Sequence, residues 1–346
     1  MGIRLATFDY KSPYFYMVTL KAEKGALPFV RIRREPLQGD LAHSHGRGGT
    51  GPAQFIEANA VTQAFVDVIT GFHKVWRCVE PIETFSVMPD HIHLLIKLRK
   101  VADVVSLPKI VWQLRRHLER AYRSAVGAGR EAAVGAAASG TLNCGDPATS
   151  GAASRAGGFH VFEREWHDWI VKKNGQLAAF TCYIRENPRR AWLRASHREN
   201  FRRVGEIEFL GRKWFGYGNA ALLDLPVIEP FHCSRKWAVD GPEWREAVAR
   251  AERIGPGCAG IGTFMSPCEK ACGNAIAKAG GKLIVLSPEG FGERWHPGPR
   301  HEPFCADGRM LFLSLYPEMA RQPTRKELYD RCHEMGDVVL EGLARP

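Results

Sequence analysis

Two short groups of residues have the types and spacing to do chemistry together. The first is His91-Ile92-His93, inside the run TFSVMPDHIHLLIKL at 84–98. Side chains on a strand alternate faces, so both imidazoles project one way and Ile92 the other. Two neutral imidazoles side by side form half of a divalent-metal site; the plainer alternative is a pair of strand-end histidines with local hydrogen bonds. The second group is Tyr183 and Asn187, in CYIRENPRRA. Residues four apart on a helix share a face, so the phenol and the amide project together. An Asn carbonyl can complete a metal site begun by two histidines, and a phenol beside such a metal is a candidate covalent nucleophile. The metal would stabilise charge on a scissile phosphate. Taken alone, Tyr183 reads as a half-buried core tyrosine; the combination is what points to chemistry.

The elements that must position these groups follow from periodicity. A strand is expected over 14–22, and a Gly/Pro/His-rich loop over 35–53, where His43 and His45 read as solvated loop residues or metal donors. Helical spacing of Phe55, Val61, Phe65, Val68, Ile69 and Phe72 predicts a helix over 55–76. Two strands joined at Pro89-Asp90 come next, then a helix over about 104–124. That helix carries Lys109, Arg115, Arg116, Arg120 and Arg123, a face suited to phosphates or simply to water. The Ala/Gly/Ser-rich stretch 125–158 reads as a mobile low-complexity insertion. A strand-like start in 159–173 leads to a helix from about 174 to 187, with Pro188 as its stop.

Composition narrows the function classes. The 346 residues predict two domains, and 45% hydrophobic with 25% charged residues describes a globular chain with a substantial core. Lys and Arg number 48 against 37 Asp and Glu, a net charge of +11 that favours a polyanionic partner. The nine cysteines show no Cys-x-x-Cys and read as reduced thiols of a cytoplasmic protein. No apolar run approaches membrane-spanning length, so no membrane partner is expected.

VMPDHIHLLI, EREWHDWIV and CYIRENPRRAWL, in that order, resemble the three signature blocks of the REP-associated tyrosine transposases, single-tyrosine HUH endonucleases (His-hydrophobic-His). The resemblance covers about residues 10–228. It implies His91, His93 and Asn187 as metal ligands, Tyr183 as nucleophile and Asp168 as a site-supporting residue. It implies Mg²⁺ or Mn²⁺ as cofactor and an α/β (α+β) ferredoxin-like sandwich with an antiparallel sheet. The reaction it implies is cleavage and rejoining of single-stranded DNA at hairpins through a 5′-phosphotyrosine link, by a monomer or a homodimer. A domesticated DNA binder that no longer cleaves, and a metal hydrolase using water, are the alternatives. Arg115, Arg116, Lys172, Lys173, Arg190, Arg212 and Lys213 are the expected backbone contacts, with Trp214, Phe215 or Tyr217 stacking on bases or closing a core.

A boundary is expected at 228/229, giving an HUH domain over 1–228 and a smaller α/β domain over 229–346. In the second, GPGCAGIGTFMSPCEKA suggests a strand, a Gly-rich turn and a helix, with Gly262, Thr263 and Ser266 as phosphate contacts or plain turn residues. GTFMSPCEKACGNAIAKAGGKLIVLSPEGF resembles the Rossmann-like domain of DNA-processing protein A over about 229–320, which implies an accessory DNA-holding role. Cys268, Cys272, His296, His301 and Cys305 fit no standard zinc spacing. An amphipathic helix is expected over 324–343.

Overall fold

The computed structural model describes residues 8–35, 54–100, 105–138, 160–292, 295–317 and 323–344, with backbone alone over 129–138. Two compact units meet between Trp192 and Leu193. In the first lie β1 (Phe15–Lys21), β2 (Arg31–Ile32), β3 (Ile56–Glu57), α1 (Ala60–Val75), β4 (Phe85–Val87), β5 (His91–Lys97), α2 (Leu107–Ala138), β6 (His167–Ile170) and most of α3 (Gln176–Ser196). Four strands form an antiparallel sheet in the order β4-β5-β1-β6, and β2 pairs separately with β3.

Alternation gives this sheet two different faces. Tyr16, Val18 and Leu20 of β1 and Ile92, Leu94 and Ile96 of β5 point to one side. There they join Phe65, Ile69 and Phe72 of α1 and Ile110, Leu114 and Leu118 of α2 in one buried cluster. Each such fully buried aliphatic or aromatic side chain contributes about 1.5–3 kcal/mol. Met17 and Leu95 point to the other side, where they bury Ile184 of α3. The interleaved residues of β5 on that second side are His91 and His93. α1 starts on a capping box in which Asn59 and Thr62 each accept the other's backbone N–H, which explains its start beyond the apolar run that opens at Phe55.

Two helices run past their expected ends. α2 runs on to Ala138, because the Ala-rich start of the insertion has high helix propensity; 139–158 lie outside the described residues, as do His43 and His45. α3 continues through Pro188 to Ser196. A mid-helix proline costs about 3 kcal/mol, but Ile184, Asn187, Pro188, Arg190 and Leu193 are all buried, and that packing outweighs it.

The second unit holds β7 (Arg203–Phe209), β8 (Arg212–Gly218), β9 (Val227–Pro230), α4 (Pro242–Glu252), β10 (Cys258–Gly262), α5 (Pro267–Lys278), β11 (Lys282–Leu286), α6 (Glu302–Ala306), β12 (Met310–Ser314) and α7 (Arg325–Leu343). One mixed sheet runs β7-β8-β12-β11-β10-β9, parallel from β9 to β12, with β8 antiparallel on β12. Alternate residues of β11 and β12 face opposite layers. Leu283, Met310 and Phe312 lie with α4, α5 and α6, while Ile284, Leu286, Leu311 and Leu313 lie with α7.

The hairpin β7-β8 turns at Leu210-Gly211, both at positive φ, the two-residue geometry that matches strand twist. Since β8 pairs with β12, this hairpin belongs to the second unit. The division therefore falls at 192/193 and not at 228/229. The chain is thus α+β, with a four-stranded antiparallel sheet and a two-stranded antiparallel pair in the first unit and a six-stranded mixed sheet in the second. No helix among the described residues is long and apolar enough to cross a membrane.

Candidate functional site

The side of the first sheet that faces α3 carries the chemistry. The rings of His91 and His93 lie 4.7 Å apart, centroid to centroid. Each has its Nδ1 occupied: His91 by the Asp90 carboxylate at 2.7 Å, His93 by the Thr19 hydroxyl at 2.8 Å. That leaves Nε2 of each ring for a ligand, the arrangement by which outer partners fix a metal-binding tautomer. The β1–β5 register sets the Thr19 contact by placing Thr19 directly across from His93. Asp90 comes from the turn that reverses β4 into β5 and is held below the usual carboxylate range, chiefly by its hydrogen bond from His91.

Tyr183 meets this pair. Its ring stands edge-on to His93 at 5.3 Å, and the Arg190 guanidinium lies over the phenol ring at 4.9 Å. Phe180, Tyr183 and Ile184 occupy one face of α3 at helical spacing and pack on Met17 and Leu95, which fixes how the helix presents the phenol. Burial pushes the pKa of His93 down to about 3, and the charges of His91 and Arg190 push the same way. The ring is therefore neutral, the ligating form, across the physiological range. Asn187, one turn beyond Tyr183, is buried, and its Nδ2 has no hydrogen-bond partner among the described residues. Neutral imidazoles with anchored Nδ1 atoms fit a divalent ion that accepts nitrogen donors, and the Asn187 carbonyl oxygen, not its unpartnered Nδ2, is the atom of that amide able to ligate one. The nearby guanidinium opposes such an ion.

The structure sorts the other expected residues. Asp168 lies opposite Val18, so it points to the α1/α2 side, where it helps raise the pKa of Tyr16; His167, opposite Thr19, is the member of that dipeptide on the histidine side. Arg115 spends its guanidinium on the carbonyls of Phe162 and Arg164, at 3.0 and 2.9 Å, which makes it a clamp within the unit. Arg190 is buried against Tyr183. Arg116 is exposed over Trp112 and Lys172 over Phe8, and Lys173 is also exposed, so these three remain open to a polyanion.

In the second unit, Lys213 pairs with Glu206 at 3.2 Å, and Arg212 faces a groove shared with Asp330, Glu334, Asp337 and Glu341. Trp214 is fully buried, with its indole N–H donating to the Phe209 carbonyl, so it closes a core and cannot stack on bases. The Gly-rich turn holds its own anion. The Glu269 carboxylate accepts from the Thr263 hydroxyl and from the backbone N–H groups of Cys233, Met265 and Ser266. Ser266 caps α5, and a Cβ at Gly262 would fall 2.5 Å from the Phe231 carbonyl oxygen. These residues close a tight loop whose donors are already engaged, so they do not form a phosphate cradle.

Sequence reasoning missed Thr19, Asp90, His167 and the exposed Trp169. The register that sets them around the histidines is not encoded in periodicity, although the Asp in the turn before the first histidine was a usable signal.

No protein-family model matches the chain, and no curated protein matches it. Among solved structures it is similar to DNA processing protein A from Helicobacter pylori, solved for its single-stranded DNA binding mode (16% identity, 38% of this chain and 64% of that one, TM-score 0.27). It is also similar to DNA processing protein A from Streptococcus pneumoniae (17% identity, 49% and 64%, TM-score 0.30). A third similar structure is a REP-associated tyrosine transposase bound to a REP hairpin (14% identity, 55% and 74%, TM-score 0.26). The chain thus spans 64% of the length of each processing-protein structure.

Proposed function

We propose that this chain is a metal-dependent, single-tyrosine endonuclease and strand transferase acting on single-stranded DNA at hairpin-forming repeats. The observation that carries the reading is the phenol of Tyr183 set edge-on against His93, beside His91, in one folded unit. A structural core has no need for two imidazoles with anchored Nδ1 atoms facing a phenol. His91, His93 and Asn187 would hold Mg²⁺ or Mn²⁺. When bound, the ion would stabilise negative charge on the scissile phosphate.

Tyr183 Oη would form the new O–P bond as the bond from phosphorus to the 3′-oxygen breaks. The phenol proton ends, through solvent, on that leaving 3′-hydroxyl. A 5′-phosphotyrosine remains, and attack by a 3′-hydroxyl reverses the step, so joining needs no nucleotide hydrolysis. Arg190, over the phenol, is suited to hold the ring and to face a phosphate oxygen. Arg116, Lys172 and Lys173 would follow the backbone, and Trp169, 62% exposed and opposite Met17 on the histidine side, would stack on an unpaired base. A ferredoxin-like reading of the first unit, a Rossmann-like DNA-holding second unit and a nucleoid-associated location belong to the same proposal.

A second reading, a non-cleaving binder of repeat hairpins, is favoured by Arg190: a buried guanidinium near His93 can take a phosphate in place of a metal. The two separate in one assay. Labelled single-stranded hairpins are incubated with Mn²⁺ or Mg²⁺ and wild-type or Tyr183→Phe protein, then run on a denaturing gel. A metal-dependent protein–DNA adduct that vanishes in the variant supports the nuclease. Tight binding without adduct moves the assignment to the binder, and cleavage that survives Tyr183→Phe moves it to a hydrolase using water.

A further inference from the structure

Three of the nine cysteines converge within the second unit. Cys233 lies in the loop after β9, and Cys268 and Cys272 lie four residues apart on one face of α5. Their sulfurs all lie within 4.8 Å of one another, and all three residues are buried. In sequence, Cys268, Cys272, His296, His301 and Cys305 fit no standard zinc spacing; in the fold the residue that joins Cys268 and Cys272 is Cys233.

We propose that Cys233, Cys268 and Cys272 form a binding site for a soft d¹⁰ metal ion, Cu⁺ or Zn²⁺. Thiolate sulfur selects these ions over the hard ones that carboxylates favour. Sulfurs placed about 2.3 Å from a common ion stand about 4 Å apart. Closure therefore asks for sulfur movements of under about 1 Å. The loop that carries Cys233 is already tied to α5, because its N–H donates to Glu269 Oε1 at 3.2 Å, so the ligands are held in place before any ion arrives.

Access is provided by a cavity of about 330 Å³. Cys233 lines it together with Met265, Cys332, Arg235 and Lys236. The Cys332 thiol donates to the Met265 thioether at 3.6 Å, which puts further soft donors along the path and two cations beside it. Binding balances as one ion plus three thiols giving the tris-thiolate complex and three protons, with no change of oxidation state. Among the described residues no other His, Cys, Asp or Glu belongs to the group. Trigonal Cu⁺ is complete with three sulfurs, whereas Zn²⁺ would take a fourth ligand, water, from the cavity.

The test uses the full chain, reduced and anaerobic. It is titrated with Co²⁺, whose sulfur-to-metal absorption the histidine site cannot produce, and with Cu⁺ against a chromophoric chelator; Zn²⁺ is then added to displace Co²⁺. The sulfur-to-metal absorption is expected to saturate at one ion per chain. Affinity should fall at least about tenfold, about 1.4 kcal/mol, in Cys233→Ala and Cys272→Ala. It should stay unchanged in Cys258→Ala and Cys182→Ala. Alanine suits the α5 positions as a helix former, and circular dichroism establishes that each variant is folded. Cu⁺ binding without a cobalt signal assigns a trigonal copper site; a cobalt signal displaced by Zn²⁺ assigns zinc with a cavity ligand. Binding by neither ion in the wild type, or equal binding in folded Cys272→Ala, overturns the proposal.

Discussion

Replacing Thr19 by Val probes the site through a residue that supports His93 from behind. Val keeps the β-branched shape a strand accepts and removes only the hydroxyl that meets His93 Nδ1 at 2.8 Å. His93 is 6% exposed, so water does not readily substitute for that partner. An unpaired buried ring nitrogen costs about 1–3 kcal/mol. Outer partners of a ligating histidine contribute about 10–100-fold to metal affinity, the same range expressed as binding. Asp90 is the internal control. Its side chain is 82% exposed, so water and salt replace much of what Asp90→Asn removes, and a loss below about tenfold is expected. Free Mn²⁺ would be followed by electron paramagnetic resonance in titrations of the full chain, alongside adduct yield against Mn²⁺ concentration. Thr19→Val should shift both curves to higher metal, leaving the yield at saturation near that of the wild type. An unchanged Mn²⁺ affinity in Thr19→Val, or a larger loss in Asp90→Asn than in Thr19→Val, would refute the assignment of Nε2 ligation supported from behind.

Three further outcomes follow from the same geometry. Glu269→Ala strands three backbone N–H groups and the Thr263 hydroxyl in a buried loop, so a loss of about 3–5 kcal/mol in urea unfolding is expected, with Glu269→Gln milder. Equal stability of Glu269→Ala would show that the loop's donors find water. Trp214→Ala should cost about 3–5 kcal/mol of stability, whereas Trp169→Ala should leave stability nearly unchanged and weaken single-stranded DNA binding by about 1–3 kcal/mol, read by fluorescence anisotropy. Arg116→Ala should reduce the salt slope of DNA binding by about one. Arg115→Ala should leave that slope alone and lower the melting temperature, because its guanidinium serves two backbone carbonyls.

Much of the first unit was legible in the chain. Period-two alternation around Pro89-Asp90 and helical spacing from Phe65 to Phe72 are short-range patterns set by backbone geometry, and β4, β5 and α1 follow them. The same alternation put His91 and His93 on one side, and the four-residue spacing put Tyr183 and Asn187 on another. Local pattern could not say that Tyr183 meets His93. That depends on α3 packing Ile184 against Met17 and Leu95, and on a register that sets Thr19 beside His93.

Register also decided between the members of the His167-Asp168 pair, because a shift of one residue exchanges the faces of a strand. Pro188 read as a helix stop because a proline penalty is local, while the burial that overrides it is not. Trp214 looked like a base-stacking residue in a basic, aromatic stretch; only the pairing of β8 with β12 turned it into a core residue of the second unit. The cysteine triad shows the same division. Cys268 and Cys272 share a helix face by spacing alone, but Cys233, some 35 residues earlier, reaches them only because parallel β9 and β10 bring their following loops to the same end of the sheet. Residue types and short periods are written in the chain. Which faces meet is settled by packing and strand pairing, whose energies come from residues far apart in sequence.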